Sequence, residues 1–306
     1  MEIHGIFNYP CLAAGRAARA ASVPYVVHPH GSLDPFDLRK HRILKHFVGR
    51  LFIRPLLAGA RIVLTASQLE SDRLQSYGAS VHVETLPLPY LVSDAGADGD
   101  AFRMKYELQD ALVVLFLGRV NYKKGLTYVL DALSTVVAMF PQTKLVLGGD
   151  DQSAYATELK EQVQRAELSQ HVRFLGTLSD SEKASALAVA AILVLVSDNE
   201  NYGLVLVEAA WWGVPMLISD EVYIASLLEE AGAALVVKRR SAAVADGLMK
   251  LLGDAELRRS MGAEGRQLAG TVLSWDACAA EQGDLRRRLL REPASLAHSA
   301  TRTTGR

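Results

Sequence analysis

The feature that most limits what this chain can fold into is a rhythm of short apolar runs in its second half. Runs at 112–117, 144–147, 172–174, 191–196, 215–218 and 234–237 are rich in Val, Leu and Ile, and segments of helical period separate them. An apolar run that does not alternate fits a strand buried on both faces. Strand–helix alternation of this kind builds a parallel sheet covered by helices on both sides. The expected fold class is therefore α/β, with a doubly wound parallel sheet. No short-period repeat points to a solenoid.

The first part of the chain reads as more of the same, with fewer units. Strands are expected at 3–7, 24–28, 61–65 and 81–85, and helices at 11–21, 37–57 and 68–77. Periodicity then breaks across Ser93-Asp94-Ala95-Gly96-Ala97-Asp98-Gly99-Asp100, which marks a domain boundary. The expected domains are 1–93 and 94–272, followed by a helix over 273–292 and a disordered tail over 293–306.

A chain of 306 residues, half of them hydrophobic, can bury the cores of two domains. Its 33 Lys and Arg nearly cancel its 34 Asp and Glu, for a net charge of −1. That balance argues against a nucleic-acid partner. Cys11 and Cys278 lie far apart and read as small buried residues in a reducing compartment. No apolar run reaches the roughly 18 residues of a spanning helix. Met1 is followed by Glu2, His4 and Asn8 rather than by a signal-peptide pattern. The expected location is cytoplasmic.

Three loops that follow strands carry chemistry. In the first, Glu200 lies in a polar loop after the 191–196 strand and Glu208 in the next helix, with seven residues between them. Asn201 is the expected N-cap, and the N–H groups of Gly203 and Leu204 would face an anion. By themselves the two acids read as well as a solvated loop residue and a surface partner. In the second loop, a strand ends at Gly118 and a helix begins near Gly125, with Arg119 and Lys124 flanking the turn. Two cations beside a turn backbone and a helix start suit a diphosphate. The order of residues is not that of a Walker loop. In the third, His30 sits in Pro29-His30-Gly31 after a strand, either as a buried hydrogen-bonding histidine or as a ligand contact.

Gly148-Gly149-Asp150 and Gly176-Thr177 also end strands. Asp150-Asp151 and Asp198-x-Glu200 lack metal-ligand spacing, so no metal ligand and no cofactor is expected. No Gly-x-Gly-x-x-Gly follows a strand, which leaves a dinucleotide-dependent oxidoreductase as a remote alternative. The 37–57 segment carries Leu44, Phe47, Val48, Leu51 and Phe52 on one side, with Arg39, Lys40, Arg42, Lys45, Arg50 and Arg54. It reads either as a solvated face or as a surface for an anionic membrane or acceptor. Pro55 near its end is a source of a kink.

Taken together, these residues resemble family 4 glycosyltransferases. The resemblance is carried by Glu200-Asn201-Tyr202-Gly203-x4-Glu208-Ala209 with Gly213-Val214-Pro215 after it, by Gly118-Arg119-x4-Lys124-Gly125, by His30-Gly31 and by Ser274-Trp275-Asp276, in the family's order. It implies the GT-B fold of two Rossmann-like domains, here with the first one incomplete by about 80 to 100 residues. It implies a retaining transferase that moves a sugar from a nucleotide-diphosphate donor to a saccharide or lipid-linked acceptor, peripheral on the inner face of a membrane. Glu200 and His30 would then be catalytic, with Glu200 on the donor sugar. Glu208 would hold the ribose, and Arg119 and Lys124 the diphosphate. Asn201, Tyr202, Gly203, Leu204, Gly118, Gly176 and Thr177 would complete the donor site. The resemblance also implies that transfer needs no bound metal. The alternative is a shortened, donor-binding subunit that is weakly active or depends on a partner.

Overall fold

The computed structural model describes residues 1–39, 42–78, 81–93 and 96–291, so Lys40, Asp94, Ala95 and the tail expected at 293–306 lie outside it. The chain forms two compact units. One is Met1–Pro89 together with the C-terminal helix from Trp275, and the other is Tyr90–Ser274.

The first unit is built on four short parallel strands, β1 (Glu2–His4), β2 (Val26–His28), β3 (Ile62–Thr65) and β4 (Val83–Thr85), hydrogen-bonded in that order. Its helices are α1 (Tyr9–Ala20), α2 (Pro35–Arg39), α3 (Arg42–Val48), α4 (Arg54–Ala58) and α5 (Gln68–Ser76). Ile3, Ile6, Val27, Leu56, Leu57, Val63 and Leu74 form one buried cluster, in which Tyr25 donates its hydroxyl to the Leu56 carbonyl at 2.7 Å. On a second cluster, Ile62 and Leu64 pack with Leu285 of the C-terminal helix (Trp275–Arg291). Arg286 and Arg288 anchor that helix on Glu2 of β1 and Glu84 of β4.

Two expectations change here. The first strand is Glu2–His4 rather than 3–7, because the chain turns at Gly5, whose N–H bonds to the His28 carbonyl. The single helix expected over 37–57 is instead α2, then α3, a π-helical turn at Gly49–Ile53 and α4. Pro55 has no N–H for the Leu51 carbonyl, and its ring would crowd that group. The preceding turn widens, and Arg54 N–H reaches the Gly49 carbonyl. No helix among the described residues is long and apolar enough to cross a membrane.

The second unit has six parallel strands, β5 (Leu112–Leu117), β6 (Thr143–Gly148), β7 (Val172–Gly176), β8 (Ala190–Leu195), β9 (Met216–Ser219) and β10 (Ala234–Val237). Their spatial order is β10-β9-β8-β5-β6-β7. Helices α6 (Gly99–Lys105), α7 (Leu126–Met139), α8 (Ala154–Arg165), α9 (Asp180–Val189), α10 (Leu204–Trp212), α11 (Ala225–Glu230), α12 (Ser241–Gly253) and α13 (Ala255–Gly270) complete the layers. The four residues Val113–Phe116 of β5 are fully buried, which is why that strand reads as unbroken apolar sequence. From β5 the chain winds outward through β6 and β7, and from β8 it winds the opposite way through β9 and β10. The carboxyl ends of β5 and β8 are therefore the topological switch point of the sheet. This is where doubly wound sheets bind ligands.

Candidate active site

The loop after β5 and the loop after β8 meet at this switch point. Gly125 is what lets them approach: its φ is +64°, and an added Cβ would lie 1.9 Å from the Val196 carbonyl oxygen. Any side chain here would drive the 118–125 turn off the end of β8. The contact is sealed by Asp198 N–H on the Lys123 carbonyl at 2.8 Å. With the backbones so joined, the Lys124 ammonium ion-pairs directly with the Glu200 carboxylate, both being largely shielded from solvent. Glu200 is fixed by its backbone as well. Its N–H bonds to the Glu221 carbonyl and its own carbonyl accepts from Tyr223 N–H. Arg119 projects from the same turn, exposed, with no ion-pair partner among the described residues.

Glu208 is on α10 and is only 5% exposed. A buried carboxylate needs partners. It has two, Tyr90 Oη and Lys183 Nζ, each 2.6 Å from Oε1. That leaves Oε2 without a donor among the described residues. Burial, together with the bond to Glu208, pushes the Tyr90 hydroxyl up to about 12, so it remains a donor at any physiological pH. Burial alone would lower Lys183, but the Glu208 carboxylate more than offsets that and holds the ammonium charged. Tyr90 and Lys183 lie 118 and 25 residues from Glu208, in segments with no motif to mark them. Only the packed structure reveals them.

Gly118, Gly148 and Gly176 line one rim across adjacent strand ends, with Gly118 N–H on the Gly148 carbonyl at 2.9 Å and Gly149 N–H on the Gly176 carbonyl at 2.7 Å. Thr177 follows Gly176 and is exposed. Helix α10 begins at Gly203, with φ +70° and no side-chain cap, so Asn201 is not the N-cap. The left-handed Gly203 turns the chain straight into the helix, and this takes Asn201 out of capping position. Its Oδ1 is instead buried, with no hydrogen-bond partner among the described residues. Leu204 N–H is thereby left at an uncapped helix start, a setting that favours an oxyanion. Tyr202 is buried beneath this turn.

His30 belongs to the first unit and is described within it. It has φ +51°, an uncommon conformation for a residue with a side chain. The loop is held from below by Glu70, which accepts from Gly31 N–H at 2.5 Å and Ala66 N–H at 2.8 Å. Asp34, three residues after Gly31, pairs with Arg73 of the same helix α5. His30 Nε2 is 2.9 Å from His4 Nδ1, and His4, His28 and His30 form a stack of rings. Sequence reading assigned no metal ligand, yet Glu2, His4 and His28 place three ligand atoms within 4.8 Å of one another. The signal that could have found them is strand register: His4 pairs with His28 across β1 and β2.

Two parallel-sheet α/β units, one with cations and acids gathered at its switch point, have the architecture of the GT-B fold. Residues 99–268 match the family described as glycosyl transferases group 1, and residues 2–89 match a glycosyl transferase 4-like domain. The chain belongs to the glycosyl transferases group 1. It is 25% identical over 292 residues to alpha-D-kanosaminyltransferase of Streptomyces kanamyceticus, covering 90% of this chain and 75% of that protein. It is 34% identical over 181 residues to phosphatidyl-myo-inositol mannosyltransferase of Mycobacterium tuberculosis, covering 56% of this chain and 47% of that protein. The chain thus spans about half the length of the mannosyltransferase. Among solved structures, Anabaena HepE in complex with UDP and glucose superposes with a TM-score of 0.78 at 20% identity, over 94% of this chain and 78% of that one.

Proposed function

We propose that this chain transfers a sugar, with retention of anomeric configuration, from a nucleotide-diphosphate sugar to a saccharide or lipid-linked acceptor. The observation that carries the proposal is the Lys124–Glu200 pair at the β5/β8 switch point, with Glu208 one helix turn deeper and braced by Tyr90 and Lys183. In transfer, the bond from the anomeric carbon to the diphosphate breaks and its electron pair leaves on the phosphate oxygen. The acceptor oxygen forms the new bond to carbon and gives up its proton. Negative charge grows on the diphosphate, where Arg119, Lys124 and the α10 N–H groups stabilise it without a metal ion. Positive charge grows on the sugar ring, which Glu200 would stabilise, and His30 is the residue of the first unit assigned a catalytic role. Glu208 Oε2 accepts from a ribose hydroxyl. Gly118, Gly176 and Thr177 line the nucleotide pocket. The names of the relatives, a kanosaminyltransferase and a phosphatidylinositol mannosyltransferase, support a hexose donor and keep both acceptor classes in view. The test is transfer from candidate donors followed by NMR of the product. An anomeric configuration matching the donor is expected, and an inverted one would refute retention.

The same proposal gives the first unit an anionic membrane surface as partner. Ile43, Leu44, Phe47 and Leu51 are 76%, 63%, 60% and 62% exposed, beside Arg42, Arg50 and Arg54. An apolar face ringed by cations suits the interface of an acidic bilayer. Sedimentation with phosphatidylglycerol vesicles should carry the chain down at low salt, and Arg42→Glu with Arg50→Glu should release it. Equal sedimentation of parent and variant would remove the membrane from the proposal.

A further inference from the structure

The most unusual polar cluster outside the donor site is at the carboxyl ends of β1 and β2. Parallel pairing puts His4 beside His28, with Glu2 two residues earlier on β1. His28 is 4% exposed, and its Nε2 is buried with no hydrogen-bond partner among the described residues. A buried ring nitrogen of this kind has lost its hydration without a hydrogen bond to compensate. Nε2 is 3.4 Å from Glu2 Oε2, and His4 Nε2 is 3.8 Å from the same oxygen.

The 3.4 Å separation is that of neighbouring ligands on one metal ion, and the 3.8 Å separation is wider. Ligands about 2.0–2.2 Å from a tetrahedral zinc lie about 3.3–3.5 Å from one another. The three ligand atoms already fall within 4.8 Å, and the two rings are stacked at 4.3 Å with their edges toward one carboxylate.

The surrounding shell is also that of a metal site. His4 uses Nδ1 toward His30, which leaves Nε2 for a metal. Arg286 donates to both oxygens of Glu2, at 2.5 and 3.1 Å, and keeps the carboxylate oriented. Two imidazoles and one carboxylate are the donor set of zinc and its first-row neighbours rather than of magnesium or calcium.

We propose that Glu2, His4 and His28 bind one divalent first-row metal ion, Zn²⁺ foremost, with a fourth position open to water. The ion clamps β1 to β2 and, through His4, fixes the ring of His30. It is not among the cations, Arg119 and Lys124, that the proposed function assigns to the diphosphate.

The test uses the full chain without an affinity tag, stripped with chelator and titrated with ZnCl₂ by calorimetry, and with CoCl₂ by visible absorption. One equivalent of each should bind, Co²⁺ giving the strong bands of a four-coordinate site. His4→Ala and His28→Ala should each weaken Zn²⁺ by at least about tenfold, Glu2→Gln should weaken it less, and His82→Ala should leave it unchanged. Should His28→Ala fail to fold, His4→Ala carries the test, since that ring is half exposed. Absence of binding, or equal affinity in the parent and His4→Ala, would overturn the proposal.

Discussion

The two units solve the same problem, holding charged and polar side chains ready at strand ends, in opposite ways. In the second unit each acid is already matched by a cation: Glu200 by Lys124, and Glu208 by Lys183. In the first unit the chemistry-bearing group is a stack of imidazoles, steadied by backbone. Glu70, 4% exposed, has two N–H donors and no cation partner among the described residues, and burial pushes its carboxyl up. The difference shows what each site is poised for. Under the proposed function a diphosphate would take the place of the Glu200 carboxylate on Lys124, one anion for another, while Glu208 keeps Tyr90 and Lys183. A strained histidine loop fixes one ring in space and accommodates little change.

Three substitutions sharpen this contrast. The largest effect is expected from Glu200→Gln, which should lower the turnover number by about 10²–10³ while barely altering diphosphate affinity. A fall in affinity with unchanged turnover would put Glu200 in the same class as Lys124. Next is Glu70→Ala. It strands the N–H groups of Gly31 and Ala66 in a buried site and should cost about 2–4 kcal/mol of stability, read from denaturant midpoints. A loss no greater than that of an exposed residue would mean water readily replaces the carboxylate. The smallest is Lys183→Met. Tyr90 still braces Glu208, so nucleotide affinity should fall by about threefold to tenfold. No change at all would separate Lys183 from the donor site.

Much of the second unit could be read from sequence because its strands are buried on both faces. Leu112–Leu117 has no polar residue to blur its pattern, and the loops that follow β5 and β8 begin where the apolar runs stop. Lys124 and Glu200 were legible for that reason. The partners of Glu208 were not, since Tyr90 sits in a proline-rich connection and Lys183 in an amphipathic helix. The first unit is harder for a different reason. Strands of three or four residues carry almost no period, and the cluster of Glu2, His4 and His28 exists only through register. The 37–57 segment has helical spacing throughout, but spacing does not reveal that Pro55 forces a π-helical turn ahead of it.

The central claim is that the second unit grips a nucleoside diphosphate between the cationic turn and the paired acids. Titration calorimetry of the full chain with UDP, GDP and ADP, and with NAD as the comparison, tests it most directly. At least one diphosphate should bind where NAD does not. Lys124→Met should weaken it by about tenfold or more, and Glu208→Gln should abolish the preference for the ribonucleotide over its 2′-deoxy counterpart. Equal binding by the parent and both variants, or binding of NAD alone, would contradict the account.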